Sequence, residues 1–167
     1  MALSGLQQFQ ETLAERLREA TQAPADSRLA FESGSLAYLA RLGDTSEVLP
    51  LPELTPVPLT RTWMLGLANV RGRLVSVVDF SAFLGEPATV ITPQARLVVL
   101  AERFGSHAGL LVARVLGLRS IEALQKREDW AAGEWLGGLY RQTGGADLRE
   151  LDLGALASSE RFLQAGI

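Results

Sequence analysis

The stretch that decides the fold is Met64-Leu65-Gly66-Leu67-Ala68-Asn69-Val70-Arg71-Gly72-Arg73-Leu74-Val75-Ser76-Val77-Val78-Asp79-Phe80. Two apolar runs, Met64–Val70 and Leu74–Val78, enclose Arg71-Gly72-Arg73, and a connection that short joins antiparallel neighbours. Gly72 supplies the positive φ that a tight reversal needs, so the stretch predicts a β-hairpin. Asp79 or Ser81 then stands where an N-cap belongs, and Gly85 closes one helical turn through Phe83-Leu84.

The pattern extends in both directions. Upstream, Arg28–Glu32 and Leu36–Ala40 flank Ser33-Gly34-Ser35 as a second hairpin. The chain then runs through Gly43-Asp44 to Glu47-Val48, and four of its seven prolines (Pro50, Pro52, Pro56, Pro58) follow. Proline has no amide hydrogen to give a sheet, which makes this stretch an extended connector or a sheet edge. Downstream, strands are expected at Arg96–Ala101 and Ala108–Leu116, with Gly105-Ser106 between them. Residues 120–135, with Trp130 and Trp135, read as mixed loop and helix. Leu136–Arg141 and Leu148–Leu153 form a third hairpin around Thr143-Gly144-Gly145, and Gly154–Leu163 a terminal helix.

Residues 4–20 differ, carrying Leu6, Phe9, Leu13 and Leu17 on one helical face, with Ser4 and Gln7 at capping-box spacing and Pro24 beyond. An N-terminal amphipathic helix and linker over 1–27 therefore precedes a domain over 28–165. Within that domain two units look alike. Leu65-Gly66-Leu67, a hairpin, Val78-Asp79-Phe80 and Ala82-Phe83-Leu84 parallel Leu136-Gly137-Gly138-Leu139, a longer hairpin, Leu151-Asp152-Leu153 and Ala155-Leu156. A duplicated β unit predicts two small barrels around a shared core, with a groove between them.

Composition removes most chemistry. The 167 residues are 47% hydrophobic and 21% charged, as in an ordinary globular protein, and the net charge of −3 offers no basic surplus for nucleic acid. There is no cysteine for disulfides, thiolate metal sites or thiol nucleophiles, and the single histidine, His107, cannot build a metal cage. No apolar run approaches a bilayer-spanning length, and the first residues lack the features of a signal peptide, so a cytoplasmic protein without membrane insertion is expected.

The run from Leu65 to Phe80, with its Asn69-Val70-Arg71-Gly72 hairpin and following Asp79, resembles the signature of CheW-like domains. The resemblance extends to Ser46-Glu47-Val48-Leu49, to Thr55-Pro56-Val57-Pro58 and to Leu151-Asp152-Leu153, covering residues 28–165. It implies a mainly β fold of two SH3-like, five-stranded barrels with short helices. It also implies a cofactor-free adaptor that couples the cytoplasmic tips of methyl-accepting chemoreceptors to the regulatory domain of a CheA-type histidine kinase. The N-terminal helix and the Pro-rich connector are more similar to PilI-type members, which serve type IV pilus twitching systems. Thr45 departs from the family pattern, which usually has Val or Ile there.

Partner contacts are expected at Arg71, Gly66, Glu47, Val48, Asn69 and Gly72. Arg71 sits at a hairpin tip with a planar five-donor fork that bridges carboxylates or carbonyls, although a turn arginine is also an ordinary solvated group. Gly66 is a strand glycine that lets another backbone approach, or else a bulge within the domain. Glu47 matches a family acidic position, or is a plain exposed strand residue. Asn69 has the side chain to tie the hairpin backbone together. Asp79 and Asp152 read as helix caps rather than an acid/base pair, and no nucleophile elbow accompanies His107. Glu128-Asp129-Trp130 and Glu134-Trp135 read as rings covering a barrel end beside solvated acids. The competing function is a small-molecule-binding or hydrolytic β-barrel that uses the groove between the two units.

Overall fold

The predicted hairpins form with the expected partners. The structure, a computed structural model, describes residues 27–166 together with Gly5, Gln7, Gln8 and Gln10–Leu13. Those last residues are helical and exposed; the rest of the predicted N-terminal helix and linker lies outside the described residues. β1 (Ser27–Ser33) and β2 (Leu36–Arg41) pair across Gly34-Ser35, and a 3-10 turn at Leu42–Asp44 leads to β3 (Thr45–Pro50) and β4 (Leu54–Thr55). Thr45 closes that turn by donating its hydroxyl to the Leu42 carbonyl at 2.8 Å, a contact that Val or Ile could not make. β5 (Met64–Val70) and β6 (Arg73–Asp79) follow, then the single-turn helix α1 (Phe80–Phe83).

The second half repeats the sequence of elements. β7 (Arg96–Leu100) pairs with β8 (Ala108–Val112), and β9 (Arg114–Ser120), β10 (Gln125–Lys126), β11 (Leu136–Arg141) and β12 (Asp147–Leu151) follow. Two short helices, α2 (Leu153–Ser158) and α3 (Glu160–Leu163), finish the described chain. The expected strand over Ala108–Leu116 is two strands, because Ala113 carries the chain from one sheet to the other and donates its amide to the Glu32 carbonyl at 2.9 Å. Likewise, Leu153 opens α2 instead of ending β12.

The strand orders are β10-β11-β12-β2-β1-β9 in the first sheet and β4-β5-β6-β8-β7-β3 in the second. If β7–β12 are matched to β1–β6 in turn, the two orders become identical. Each sheet thus combines the first hairpin of one repeat with the last four strands of the other. The expectation of five-stranded closed barrels is corrected to curled, open sheets of six strands. The two-residue strands β4 and β10 supply the extra edge, and Pro50 and Pro56 lie at the ends of edge strands, where a missing amide costs least.

Both faces of the inner strands are buried, which explains their nearly continuous apolar runs. One face builds the shared core: Leu29, Phe31, Tyr38, Ala40 and Leu151 of the first sheet meet Val78, Val98, Leu100, Leu110 and Val112 of the second. The opposite faces line the inside of each curl, with Val75, Val77, Leu97 and Leu111 in one and Ala30, Leu39, Tyr140 and Leu148 in the other.

Phe83 of α1 is the joint of the shared core. It lies 5.0 Å from the Trp63 ring and 5.7 Å from both Trp135 and Phe162, centroid to centroid. The two tryptophans are themselves equivalent. Trp63 accepts the amide of the capping Asp79 and Trp135 that of the capping Asp152, both at 2.8 Å. Phe83→Ala is expected to cost about 3–5 kcal/mol. The check is a lower urea midpoint with an unchanged slope in equilibrium unfolding.

Candidate functional site at the Arg71 hairpin

The turn between β5 and β6 has two residues, since Val70 pairs directly with Arg73. Arg71 has φ 52° and Gly72 φ 81°, the pair of positive values that a type I′ reversal requires. Gly72 is unstrained there. Arg71 is not, because a left-handed conformation costs a residue with a β-carbon about 1–2 kcal/mol. Asn69 offsets part of that cost by accepting the Gly72 amide on its side-chain oxygen at 2.8 Å. A turn that asks for Asn or Gly at its first position and holds Arg instead directs attention to what the guanidinium does.

That side chain is 82% exposed, yet its guanidinium is oriented: Nε donates to Oε1 of Glu47 on β3 at 3.0 Å. β3 and β6 are separated in the sheet by β7 and β8, so the contact exists only because the second sheet curls. A groove of about 360 Å³ opens beneath the pair, with Val70 and Val75 of the hairpin and Val99 of β7 in its lining. Arg73, ion-paired with Glu102, and the exposed His107 lie on its rim. His107 has φ 44° and its backbone carbonyl accepts the Ser76 amide at 2.9 Å, which fixes where β8 begins. Sequence reasoning did not place Arg73, Glu102 and His107 at this site: Arg73 reads only as part of the turn, and Glu102 and His107 come beside it through the non-local pairing of β6 with β8.

Four of the six expected contact residues therefore converge: Arg71 and Glu47 as a pair, Asn69 and Gly72 as the frame of the turn. Val48 is 37% exposed but lies on the face of β3 opposite Glu47, level with Val98 of the shared core. Gly66 is buried with φ 143°, where the ladder with β6 slips. A β-carbon there would stand 2.4 Å from the Thr55 carbonyl oxygen and 3.2 Å from the Pro56 Cα. The backbone that approaches Gly66 is thus its own chain's β4.

The remaining candidates are committed to structure. Asp79 is 1% exposed and accepts from the Ala82 amide, the Thr89 amide and the Thr89 hydroxyl. Asp152 accepts from the Ala155 amide at 3.0 Å. Trp130 donates its indole N–H to the Gly137 carbonyl at 3.0 Å. The expected groove between the units exists as a hollow of about 750 Å³ between the β1–β2 turn and residues 86–94. Its Glu32 is held by Arg114 in a two-pronged pair of 2.7 and 2.9 Å, and that hydrogen bonding keeps the carboxyl below its ordinary pKa. A carboxylate fixed in its charged form is a poor general acid. Among the described residues no cluster of His, Cys, Asp or Glu could hold a metal ion.

The two glycines of the hairpin should respond differently to a methyl group. Gly66→Ala meets both the backbone clash and the positive φ and is expected to cost about 2–3 kcal/mol. Gly72→Ala, with open space around it, is expected to cost about 1 kcal/mol. Urea unfolding of the two variants side by side checks the order.

Comparison with known proteins agrees with this architecture. Protein PilI of Pseudomonas aeruginosa is 38% identical over 93 residues, 56% of this chain and 52% of that one. The chemotaxis protein CheW of Thermotoga maritima is 30% identical over 111 residues, 66% of this chain and 68% of that one. Protein FrzA of Myxococcus xanthus is 33% identical over 108 residues, 64% and 66% of the two chains. The chain thus spans about half to two thirds of the length of these relatives. The crystal structure of the scaffolding protein TtCheW from Thermoanaerobacter tengcongensis shares the fold, with a TM-score of 0.67 at 17% identity over 83% of this chain and 96% of that one. The CheW-like domain profile matches residues 28–161, and the chain belongs to the CheW-like domain family.

Proposed function

We propose that this protein is a non-enzymatic, cytoplasmic adaptor that joins the tips of chemoreceptors to the regulatory domain of a CheA-type histidine kinase. The observation that carries the reading is the Arg71 hairpin. A residue type ill-suited to its backbone conformation is held at the exposed tip of a two-residue turn, and Glu47 fixes its direction. An exposed ion pair of this kind contributes little to stability. Its use is to present a fork whose remaining donors stay free for a partner's carboxylate or carbonyl. Family membership supports the class of partner, and the higher identity to Protein PilI than to the chemotaxis proteins supports service in a type IV pilus system.

The competing reading, a hydrolytic or small-molecule-binding barrel, has less to stand on. In the hollow between the units one carboxylate, Glu32, is tied to Arg114 and the other, Glu86, has no histidine or lysine beside it in the lining, while Asp79 and Asp152 spend their oxygens on capping amides and, for Asp79, on the Thr89 hydroxyl. Surface complementarity needs no such groups. Arrayed adaptors also gain strength from multivalency, so each contact can be modest in area.

Calorimetric titration with the kinase regulatory domain and with a receptor-tip fragment tests the proposal. The wild type should bind both, and Arg71→Glu should weaken at least one interaction by about tenfold or more while its circular dichroism and urea midpoint stay unchanged. Failure of the wild type to bind either partner, or unaltered binding by Arg71→Glu, would overturn it.

A further inference from the structure

The two repeats can be laid on one another residue by residue. Asp79 and Asp152 cap equivalent helices, so Val78 corresponds to Leu151. Val78 pairs with Leu110, which pairs with Val98; Leu151 pairs with Ala40, which pairs with Leu29. One residue along, the inward row Asp79, Leu111, Leu97, Leu49 of the second sheet corresponds to Asp152, Arg41, Arg28, Arg119 of the first. Where one curl closes its interior with three aliphatic side chains, the other sets three arginines on neighbouring strands. Arg28 is the Cα partner of both Arg41 and Arg119.

Like charges directly opposite each other on a sheet repel, and this row does little to relieve them internally. Arg28 is 6% exposed, and its Nε and Nη1 are buried without a hydrogen-bond partner among the described residues. Arg119, half-buried, reaches the Leu118 carbonyl at 3.0 Å and the Gln142 side chain at 3.4 Å, none of them an anion. Arg41 is exposed and shares a small hollow with Asp44, Glu150 and Asp152 but forms an ion pair with none of them. Nothing in the backbone requires this arrangement, since the same position in the other repeat is Leu97, fully buried.

We propose that Arg28, Arg41 and Arg119 form an oxyanion site in the open end of the first sheet, with Arg28 as its floor and the other two as its rim. A guanidinium fork matches the oxygens of a carboxylate or a phosphate, and Arg28, between Arg41 and Arg119, keeps Nε and Nη1 donors that no group among the described residues satisfies. The site is separate from the Arg71 hairpin, which lies in the other sheet, and stands or falls independently of the adaptor reading.

The full chain is titrated with inorganic phosphate and, separately, with a hexaglutamate peptide, each against sodium chloride at equal ionic strength. Thermal unfolding and the arginine Nε–Hε resonances are followed. A saturable response is expected, with a melting temperature that climbs with the logarithm of ligand concentration. Response to phosphate alone identifies a free oxyanion as the ligand, and response to the peptide alone identifies carboxylates presented by a protein. Arg28→Leu, which installs the residue of the other repeat, should fold, melt higher without ligand and lose the response. Arg119→Gln should reduce it at least tenfold in affinity, and Arg61→Ala, at an exposed arginine away from the row, should leave it intact. No saturable response to either anion, or an equal response from Arg28→Leu and the wild type, would overturn the site.

Discussion

Neither sheet can be completed by its own half of the chain. After each first hairpin the strand that follows leaves for the other sheet, β3 after the turn at Leu42–Asp44 and β9 after Ala113. The hairpin of one repeat is therefore the middle of a sheet whose remaining strands come from the other. Burial of both faces of β7 and β8 follows from that exchange, as does the shared core around Phe83. The candidate site depends on it too. Glu47 and Arg71 belong to the first repeat, but the distance and curl between β3 and β6 are set by the second repeat's β7 and β8. Local hairpins alone would leave that pair unmade.

This dependence explains how much was legible in the sequence. Hairpins are short-range objects: three of the four, those at Gly34, Gly72 and Gly144, could be read from apolar runs and turn residues, and the strands of the fourth, β7 and β8, from their apolar runs on either side of Gly105. The caps at Asp79 and Asp152 were legible for the same reason. The change of sheet at Ala113 was not, because a run of apolar residues on both sides of it carries no mark of which sheet each belongs to. The two-residue edge strands, and with them the difference between a closed five-stranded barrel and an open six-stranded sheet, fall below what periodicity can register. One signal was present and unread: Trp63 and Trp135 each stand immediately before the first strand of a repeated hairpin, and their pairing to the caps makes the duplication plain.

At the site, residue types were easier to read than their company. Arg71, Gly72 and Asn69 could be placed on a turn from their own chemistry. The left-handed conformation of Arg71 could not, since the expected loop was a residue longer than the real one and gave the positive φ to glycine alone. Gly66 announced that a backbone comes close without saying whose, and the answer, Thr55-Pro56, is a contact inside the fold. Glu47 and Arg71 were singled out separately, 24 positions apart, and only the curl of the second sheet makes them one feature.

The duplicated architecture also separates what the fold demands from what a site demands. Corresponding positions in the two repeats share backbone and strand order, so a residue found in one and replaced by a chemically opposite one in the other is not dictated by geometry. Leu97 against Arg28 is such a case. A fully buried leucine contributes about 1.5–3 kcal/mol, whereas a buried donor left without a partner costs about 1–3 kcal/mol. The first sheet therefore forgoes stability that the second shows its fold could hold. The same reasoning applies to Arg71, whose strain a glycine or asparagine would relieve at once. The two ends of the molecule carry arginine at positions where folding alone favours something else, and in each the cost falls on a guanidinium at or near the open mouth of a curled sheet.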